Sequence, residues 1–318
     1  MTLPPALPSA PLKRRAALGL AAAGLALALP RAPRAQDRPV TIGSKLDTEG
    51  ALLGEMIAQV LEAQKVPVQR RLQLGPTRIV REALIAGEID LYPEYTGNGA
   101  FFFQREDDPA WHNAAQAAET VRRLDAERNK LVWLKPAAAN NTWAIAVRQD
   151  LAKQAGLKSL DDLARHLKAD GAFKLAASAE FVESPAALPS FQKAYGFTLP
   201  PERLLVLSGG DTAVTMRAAA EKLNGVNAAM VYGTDGAIQA LELVVLEDPK
   251  GAQIVYQPAP VVRQAVAERL PKLGEWLDPL FASLSLETLQ TLNARIVVEG
   301  QPARQVAAAH LRGLGLAR

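Results

Sequence analysis

The hydrophobic pattern predicts alternating strands and helices from residue 40 onward. Asp47 or Thr48 is predicted to cap a helix, because the apolar residues after it lie three or four positions apart. These residues are Leu53, Met56, Ile57, Val60 and Leu61. Thr77 is predicted to cap a second helix that Gly87 closes, and the apolar runs 40–43 and 89–92 are predicted strands. This order is typical of a parallel sheet whose strands are joined by right-handed crossovers.

A second region of alternating strands and helices follows a predicted helix over residues 113–128. Its helices are predicted to be capped by Ser159 and Asp211. Its strands are predicted at 131–134, 143–147, 174–177, 204–207 and 226–231, with shorter strands at 244–245 and 261–262. The chain from Pro271 onward is predicted to be helical. Two such regions predict an α/β protein with two lobes and a cleft between them.

The first 35 residues differ in composition from the rest of the chain. They hold five basic residues and no acidic residue. An apolar run over residues 16–29 follows the basic segment 13–15 and is too short to span a bilayer. Basic, apolar and small residues in this order are typical of a signal peptide. The adjacent Arg14 and Arg15 are compatible with a twin-arginine signal and with an ordinary one. We therefore expect residues 1–35 to be a signal peptide, cleaved on export to the periplasm.

Charge and cysteine content narrow the class of protein further. The whole chain carries a formal charge of +3 and residues 1–35 carry +5, so the part after residue 35 carries −2. A slightly acidic protein has no electrostatic basis for binding nucleic acid or anionic lipid. The chain has no cysteine, which excludes disulfides, thiolate nucleophiles and thiolate metal sites. We expect a freely soluble periplasmic monomer without a metal ion or a cofactor.

The inventory of catalytic groups is thin. The three histidines all lie in predicted helical segments. Gly209, Gly210 and Asp211 precede a helix but lack the spacing and the lysine of a P-loop. Because no positioned base and nucleophile can be identified, we do not expect an enzyme. A transcriptional regulator is not expected either, because the residues before Val40 leave no room for a helix-turn-helix domain.

Aromatic residues make up only 5% of the chain, yet several of them lie at the ends of predicted strands. Four of these are Tyr95, Trp143, Tyr232 and Tyr256. Ligands of open α/β folds bind at the carboxyl ends of strands, so these rings could share one cleft. Their faces suit a quaternary ammonium, which cannot donate a hydrogen bond, at about 0.5 to 2 kcal/mol per ring. Spacing alone favours the other interpretation, half-buried boundary aromatics under loops.

Several motifs resemble those of the glycine betaine, carnitine and choline binding proteins of ABC importers, in the osmoprotectant-binding branch of that family. They agree in order and spacing over essentially all of the chain after the signal peptide. The motifs are Ile42-Gly-Ser-Lys45 with Thr48-Glu49, Val80-Arg-Glu-Ala-Leu84, Tyr92-Pro-Glu-Tyr-Thr-Gly97, Tyr232-Gly-Thr-Asp235 and Pro258-Ala-Pro-Val-Val-Arg263. The resemblance implies a type II periplasmic-binding-protein fold, in which two α/β lobes are joined by two crossing segments. It places lobe I at 36–143 and 250–318, lobe II at 144–249, and the crossings near 141–145 and 246–253.

The resemblance also implies a binding site. The four aromatic residues match the positions of a cage for a trimethylammonium group, and all four are aromatic in this chain. The polar contacts expected from the match and the sequence are Lys45, Asn98, Ser184 and Thr212. Asn98 replaces a threonine of the relatives, and Ser184 replaces an arginine that some of them carry. Loss of that guanidinium removes a bond to the solute carboxylate worth about 1.5–3 kcal/mol. We expect weak glycine betaine binding, or a solute with a different polar end.

The expected partners are a quaternary-amine solute and an ABC permease in the inner membrane. The alternative is a protein of the same fold that binds a non-quaternary solute such as an amino acid. The ammonium of an amino acid would need acidic partners, for which Glu94, Glu183 and Asp211 are the candidates. The run 101–103 consists of three phenylalanines and is expected in the lobe core. Because they cannot all face inward on one strand, we expect one ring near the cleft or the permease-facing surface.

Overall fold

Two five-stranded sheets form the framework of the protein. The computed structural model describes residues 38–207 and 212–317. The predicted signal peptide therefore lies outside the described residues. Within the described ranges, no helix is both long enough and apolar enough to cross a membrane.

The first sheet combines strands from the beginning and the end of the chain. Its strands are β1 (Val40–Lys45), β2 (Val68–Gly75), β3 (Leu91–Tyr95), β4 (Leu131–Trp133) and β10 (Pro258–Arg263). Their spatial order is β2-β1-β3-β10-β4. β1 runs parallel to β2 and β3, whereas β10 runs antiparallel to β3 and β4.

The second sheet is built from the middle of the chain and repeats this arrangement. Its strands are β5 (Trp143–Arg148), β6 (Leu175–Ser178), β7 (Leu204–Leu207), β8 (Ala228–Tyr232) and β9 (Leu243–Val245). Their order is β7-β6-β8-β5-β9, with β6 parallel to β7 and β8, and β5 antiparallel to β8 and β9. The chain thus passes from the first sheet to the second after β4 and returns after β9. The lobe limits given above remain predictions.

Each sheet and its helices are called a lobe from here on. The helices of the first lobe are α1 (Thr48–Ala63), α2 (Thr77–Ala86), α3 (Gly99–Phe102), α4 (Ala114–Asn129), α11 (Gln264–Arg269), α12 (Leu273–Ala282), α13 (Leu286–Val297) and α14 (Ala303–Gly313). Those of the second lobe are α5 (Gln149–Ala155), α6 (Leu160–Lys168), α7 (Ala179–Glu183), α8 (Leu188–Tyr195), α9 (Thr212–Ala220) and α10 (Ala237–Ala240).

Apolar side chains cover both faces of each sheet. In β5, Ile145 and Val147 pack into one core of the second lobe, and Ala144 and Ala146 pack into the other. In the first lobe, Val262 of β10 packs into one core and Val261 packs into the other. Strands that bury both faces read as continuous apolar runs, as these do.

Most predicted elements are present, and the differences have local causes. Asp47 caps α1 by accepting a hydrogen bond from the backbone nitrogen of Gly50 at 2.7 Å. Gly87 ends α2 with φ 79°, as predicted. The predicted cap at Thr77 is wrong, because α2 begins at Thr77 and Pro76 occupies the cap position without a side-chain bond. The predicted cap Asp211 lies outside the described residues.

Candidate functional site

A cleft of about 1350 Å³ is lined by residues of both lobes and of the two segments that join them, residues 134–142 and 246–257. All four predicted cage residues line it, as do the four predicted polar residues. They are Tyr95, Trp143, Tyr232 and Tyr256, with Lys45, Asn98, Ser184 and Thr212. Tyr95 and Tyr256 are 161 positions apart in the sequence, yet their rings share one cavity.

The two joining segments are hydrogen-bonded to each other. The backbone nitrogen of Asn141 donates to the carbonyl of Tyr256 at 2.9 Å, and the nitrogen of Tyr256 donates to Oδ1 of Asn140 at 2.8 Å. Thr142 Oγ1 donates to the carbonyl of Ile254 at 2.9 Å. These bonds join the segment that holds Tyr256 to the segment that directly precedes Trp143.

Trp143 and Tyr232 form a stacked pair on the second lobe. They are direct cross-strand neighbours of β5 and β8, a position in which side chains pack against each other. Their ring centroids are 6.3 Å apart at an interplanar angle of 24°. The buried ring of Phe181 meets Trp143 edge-on at 6.0 Å. Phe181 thus fixes the position of the indole ring of Trp143. Tyr232 is 37% exposed.

Tyr95 ends β3 and is held from two sides. Its hydroxyl donates to Glu49 Oε1 at 2.6 Å, and its backbone pairs with Pro258, two residues beyond Tyr256. The ammonium of Lys45 lies 4.6 Å from the centroid of the Tyr95 ring. One face of this ring therefore already meets a cation of the protein.

Lys45 and Asn98 serve a buried carboxylate. Lys45 Nζ forms an ion pair with Glu94 Oε1, and the same oxygen accepts from Asn98 Nδ2 at 2.7 Å. The other oxygen of Glu94 accepts from the hydroxyl of Tyr92 at 2.8 Å. Glu94 is fully buried, and these three partners satisfy its carboxylate oxygens. The charge of Lys45 is therefore balanced within the lobe before any solute binds.

Ser184 and Thr212 contribute neutral hydroxyl groups from the second lobe. Ser184 directly follows α7, and Thr212 is the first residue of α9. Neither brings a positive charge to the cleft. Of the acidic residues proposed for an amino-acid ligand, Glu94 is engaged as described, Glu183 does not line the cleft, and Asp211 lies outside the described residues.

Glu49 is a site residue to which the sequence analysis assigned no role. It lies in the first turn of α1, and its Oε1 accepts from Tyr95 and, at 3.3 Å, from Asn141 Nδ2. Its Oε2 accepts from Asn293 Nδ2 at 2.7 Å. Burial raises the pKa of Glu49 above its ordinary value of 4.5, and hydrogen bonds from Thr234, Tyr95 and Asn293 partly offset this rise.

Two amide oxygens near Glu49 have no hydrogen-bond partner among the described residues. They are Oδ1 of Asn141 and Oδ1 of Asn293, and both are buried. Both residues line the cleft. Buried acceptors without partners are rare, so this wall of the cleft is suited to a water molecule or a donor group of a solute.

The phenylalanine run faces three different surroundings. It belongs to α3 and the residue after it, not to a strand, so the predicted strand geometry is wrong. Phe103 is buried in the core, and the centroid of the Phe102 ring lies 3.8 Å from the guanidinium carbon of Arg81. Phe101 is 51% exposed and lines the cleft. Successive helical side chains point about 100° apart, which separates the three rings.

Titratable side chains in the cleft are mostly acidic. Its lining includes the lysines Lys45 and Lys193 and the carboxylates Asp47, Glu49, Glu106, Asp107 and Asp235. Among the described residues, no group of three or more histidine or acidic side chains could hold a metal ion. The cleft thus combines aromatic faces with an acidic lining, which favours a ligand that carries a positive charge.

Known proteins are similar to this chain over most of its length. A family model described as the substrate-binding domain of the ABC-type glycine betaine transport system matches residues 38–313. The glycine betaine-binding protein YehZ of Escherichia coli K12 is 60% identical over 277 residues, which cover 87% of this chain and 91% of that protein. A glycine-betaine-binding protein of Pseudomonas aeruginosa is 34% identical over 303 residues, covering 93% of this chain and 92% of that protein.

A solved structure is similar over the same range. Apo YehZ from Escherichia coli matches with a TM-score of 0.84 at 59% identity, covering 88% of this chain and 99% of that chain. The predicted fold class, a two-lobed α/β fold of the type II periplasmic-binding-protein class, is confirmed.

Proposed function

Because the chain belongs to the family of substrate-binding domains of ABC-type glycine betaine transport systems, we propose that it captures a quaternary-amine osmoprotectant for a membrane permease. The resemblance that the sequence motifs indicated is confirmed by this membership. The observation that carries the proposal for the ligand is the convergence of four aromatic rings on one cleft between the lobes.

The cation of the solute binds against the aromatic rings. A trimethylammonium group has no N–H donor, so the negative faces of Tyr and Trp rings are its natural partners, at about 0.5–2 kcal/mol per ring. Tyr95 and Tyr256 offer their rings from the first lobe and the joining segment, and the stacked Trp143 and Tyr232 offer theirs from the second lobe. A solute held by both lobes favours the closed arrangement over the open one.

The anionic end of glycine betaine finds a weaker set of partners. Lys45 and Asn98 already bind Glu94, and Ser184 and Thr212 offer hydroxyl groups only. A charge-assisted bond to a carboxylate contributes about 1.5–3 kcal/mol, which a neutral hydroxyl does not match. We therefore propose that these four residues hold the carboxylate of glycine betaine more weakly than an arginine at position 184 would.

The proposal includes export and delivery. The order of basic, apolar and small residues in segment 1–35 supports a signal peptide and a periplasmic location. We propose that the protein acts as a monomer, hands its solute to an ABC permease of the inner membrane, and performs no chemical step on it. Chemical conversion of a bound solute in a prolonged incubation would contradict the last point.

Trp143 provides a direct test of ligand capture. Of the four tryptophans, it is the one that lines the cleft among the described residues, whereas Trp111 and Trp133 are buried in the core. Titration with glycine betaine, choline or carnitine is expected to change the tryptophan fluorescence, and the change is expected to disappear in Trp143→Phe. The absence of a fluorescence change and of a thermal shift with every quaternary amine at millimolar concentration would contradict the proposal.

One observation favours a second candidate, a solute with N–H donors such as an amino acid. The unpartnered Oδ1 atoms of Asn141 and Asn293 would accept hydrogen bonds from a primary ammonium, and Glu49 would balance its charge. Competition distinguishes the two candidates. Displacement of bound glycine betaine by amino acids at equal or lower concentration would favour the second, and no displacement favours the quaternary amine.

A further inference from the structure

Lys193 lies on the face of α8 that lines the cleft. It follows Ser190 by three positions and Pro189 by four, and all three residues line the cleft. Side chains three and four positions apart share one face of a helix. Because the Cα–Cβ bonds of a helix tilt toward its N-terminus, the stem of Lys193 leans back over Ser190 and Pro189. This direction leads along the wall of the cleft.

The ammonium of Lys193 is unengaged, in contrast to that of Lys45. Lys45 is buried and paired with Glu94. Lys193 is exposed, and its ammonium has no hydrogen bond or ion pair with any residue that the structure describes. Of the two lysines in the lining, Lys193 is thus the one whose positive charge is available to a ligand.

The neighbouring hydroxyl groups do not replace this charge. Ser190 Oγ donates to the carbonyl of Ala187 at 2.8 Å and accepts from Gln253 Nε2 at 2.6 Å. Ser184 keeps a neutral hydroxyl in the cleft. An anionic group on this side of the cleft would therefore depend on Lys193 for a charge-assisted partner.

We propose that Lys193 is a specificity-determining residue that binds the anionic group of a zwitterionic quaternary amine, whose cation is held by the aromatic rings. This inference rests on the proposed function and deepens it, because it names zwitterions rather than simple cations as the preferred solutes. The four-carbon stem of lysine lets the ammonium follow the solute as the lobes close.

Calorimetric titration of Lys193→Gln with glycine betaine and with choline tests the proposal. Loss of the charge is expected to weaken glycine betaine binding about five- to tenfold, because a charge-assisted hydrogen bond is replaced by a neutral one. Choline has no anionic group, so its affinity is expected to stay within about twofold of wild type. Lys193→Arg keeps the charge and is expected to restore most of the glycine betaine affinity.

Lys168→Gln is the matched control. Lys168 lies on α6 of the same lobe, is exposed and does not line the cleft. Lys168→Gln therefore makes the same change in net charge away from the cleft. The affinity of this variant for both solutes is expected to equal that of wild type. An equal loss in Lys168→Gln and Lys193→Gln would overturn the proposal, because the effect would then come from net charge alone.

The experiment must also distinguish anion binding by Lys193 from a role of Lys193 in lobe closure. Glu106 and Asp107 also line the cleft, and an ion pair between one of them and Lys193 could form on closure. The double variant Glu106→Gln with Asp107→Asn would then reproduce the loss seen in Lys193→Gln, and this result would overturn the proposal. Equal weakening of glycine betaine and choline in Lys193→Gln, or no change in either, would do the same.

Failure of the proposed function has a different signature. If wild type binds neither glycine betaine nor choline, the proposed function fails and the role of Lys193 fails with it. If wild type binds glycine betaine and Lys193→Gln binds it equally well, only the role of Lys193 fails. If choline binding is too weak to measure, the double variant at Glu106 and Asp107 decides between anion binding and closure.

Discussion

Tyr95 combines a ring in the cleft with a hydroxyl in a buried hydrogen bond, and substitution can separate the two. Tyr95→Phe keeps the ring and removes the 2.6 Å bond to Glu49. Loss of a partner of a buried acceptor costs about 1–3 kcal/mol, so the free energy of unfolding is expected to fall by that amount. The corresponding decrease in melting temperature is about 3–8 °C for a chain of this size.

Tyr256→Phe is the matched control for the lost hydroxyl. Tyr256 lines the same cleft, but its hydroxyl has no hydrogen-bond partner among the described residues. Its removal is expected to change the free energy of unfolding by less than about 0.5 kcal/mol. Urea unfolding followed by tryptophan fluorescence measures both variants. Equal stability of Tyr95→Phe and Tyr256→Phe would refute the assignment of Tyr95 to the support of Glu49.

The contribution of the Tyr95 ring is measured by the affinity for the solute. Tyr95→Phe keeps the aromatic face, so the dissociation constant for glycine betaine is expected to change less than about threefold. Tyr95→Leu removes one ring worth about 0.5–2 kcal/mol, which corresponds to about a two- to thirtyfold loss. If the phenylalanine and leucine variants lose affinity equally, the ring does not bind the solute and the reasoning about the aromatic rings is wrong.

Three further predictions concern charge and folding. Because burial raises the pKa of Glu49 above 4.5, ionisation of Glu49 lowers the stability of the folded protein. The free energy of unfolding of wild type, compared with that of Glu49→Gln, is expected to fall as the pH rises from about 4.5 through the raised pKa, and to stay level above it. Urea titrations at several pH values measure this difference. Asp125→Ala leaves the buried guanidinium of Arg81 without its ion pair, so the free energy of unfolding in urea is expected to fall by about 3–5 kcal/mol. The solute affinity measured by calorimetry is expected to stay unchanged. A variant as stable as wild type would contradict the role of the pair. Ser159→Ala removes the capping box with Asp162 at the start of α6 and is expected to lower stability by about 1 kcal/mol, and the absence of a shift in the urea midpoint would contradict it.

The fold was predictable where a regular apolar pattern coincides with a buried face. α1 is such a case, because the five apolar residues that predicted it all pack in the core of the first lobe. The alternation of strands and helices implies a strand between α1 and α2, but no apolar run locates β2. It lies at the edge of its sheet, alternates half-buried with exposed residues and contains Arg70 and Arg71, so pairing with β1 rather than apolar content defines it.

The aromatic part of the site could be proposed from the sequence because rings are scarce and lie at strand ends. The polar part depends on contacts between distant residues. Lys45 and Glu94 are 49 positions apart and meet because β1 and β3 are neighbours. Asn293 reaches Glu49 across 244 positions. No local pattern encodes such pairs, so their effect on the charge of the cleft follows only from the packing of the lobes.

The most direct test of the central claim compares glycine betaine with 3,3-dimethylbutanoate by calorimetric titration. The two solutes share shape and carboxylate, and differ because a carbon atom replaces the quaternary nitrogen. If the rings of Tyr95, Trp143, Tyr232 and Tyr256 hold a cation, the neutral-headed analogue is expected to bind at least about tenfold more weakly. Equal affinity for the two solutes would contradict the account, because the cleft would then select shape and a carboxylate rather than a quaternary ammonium.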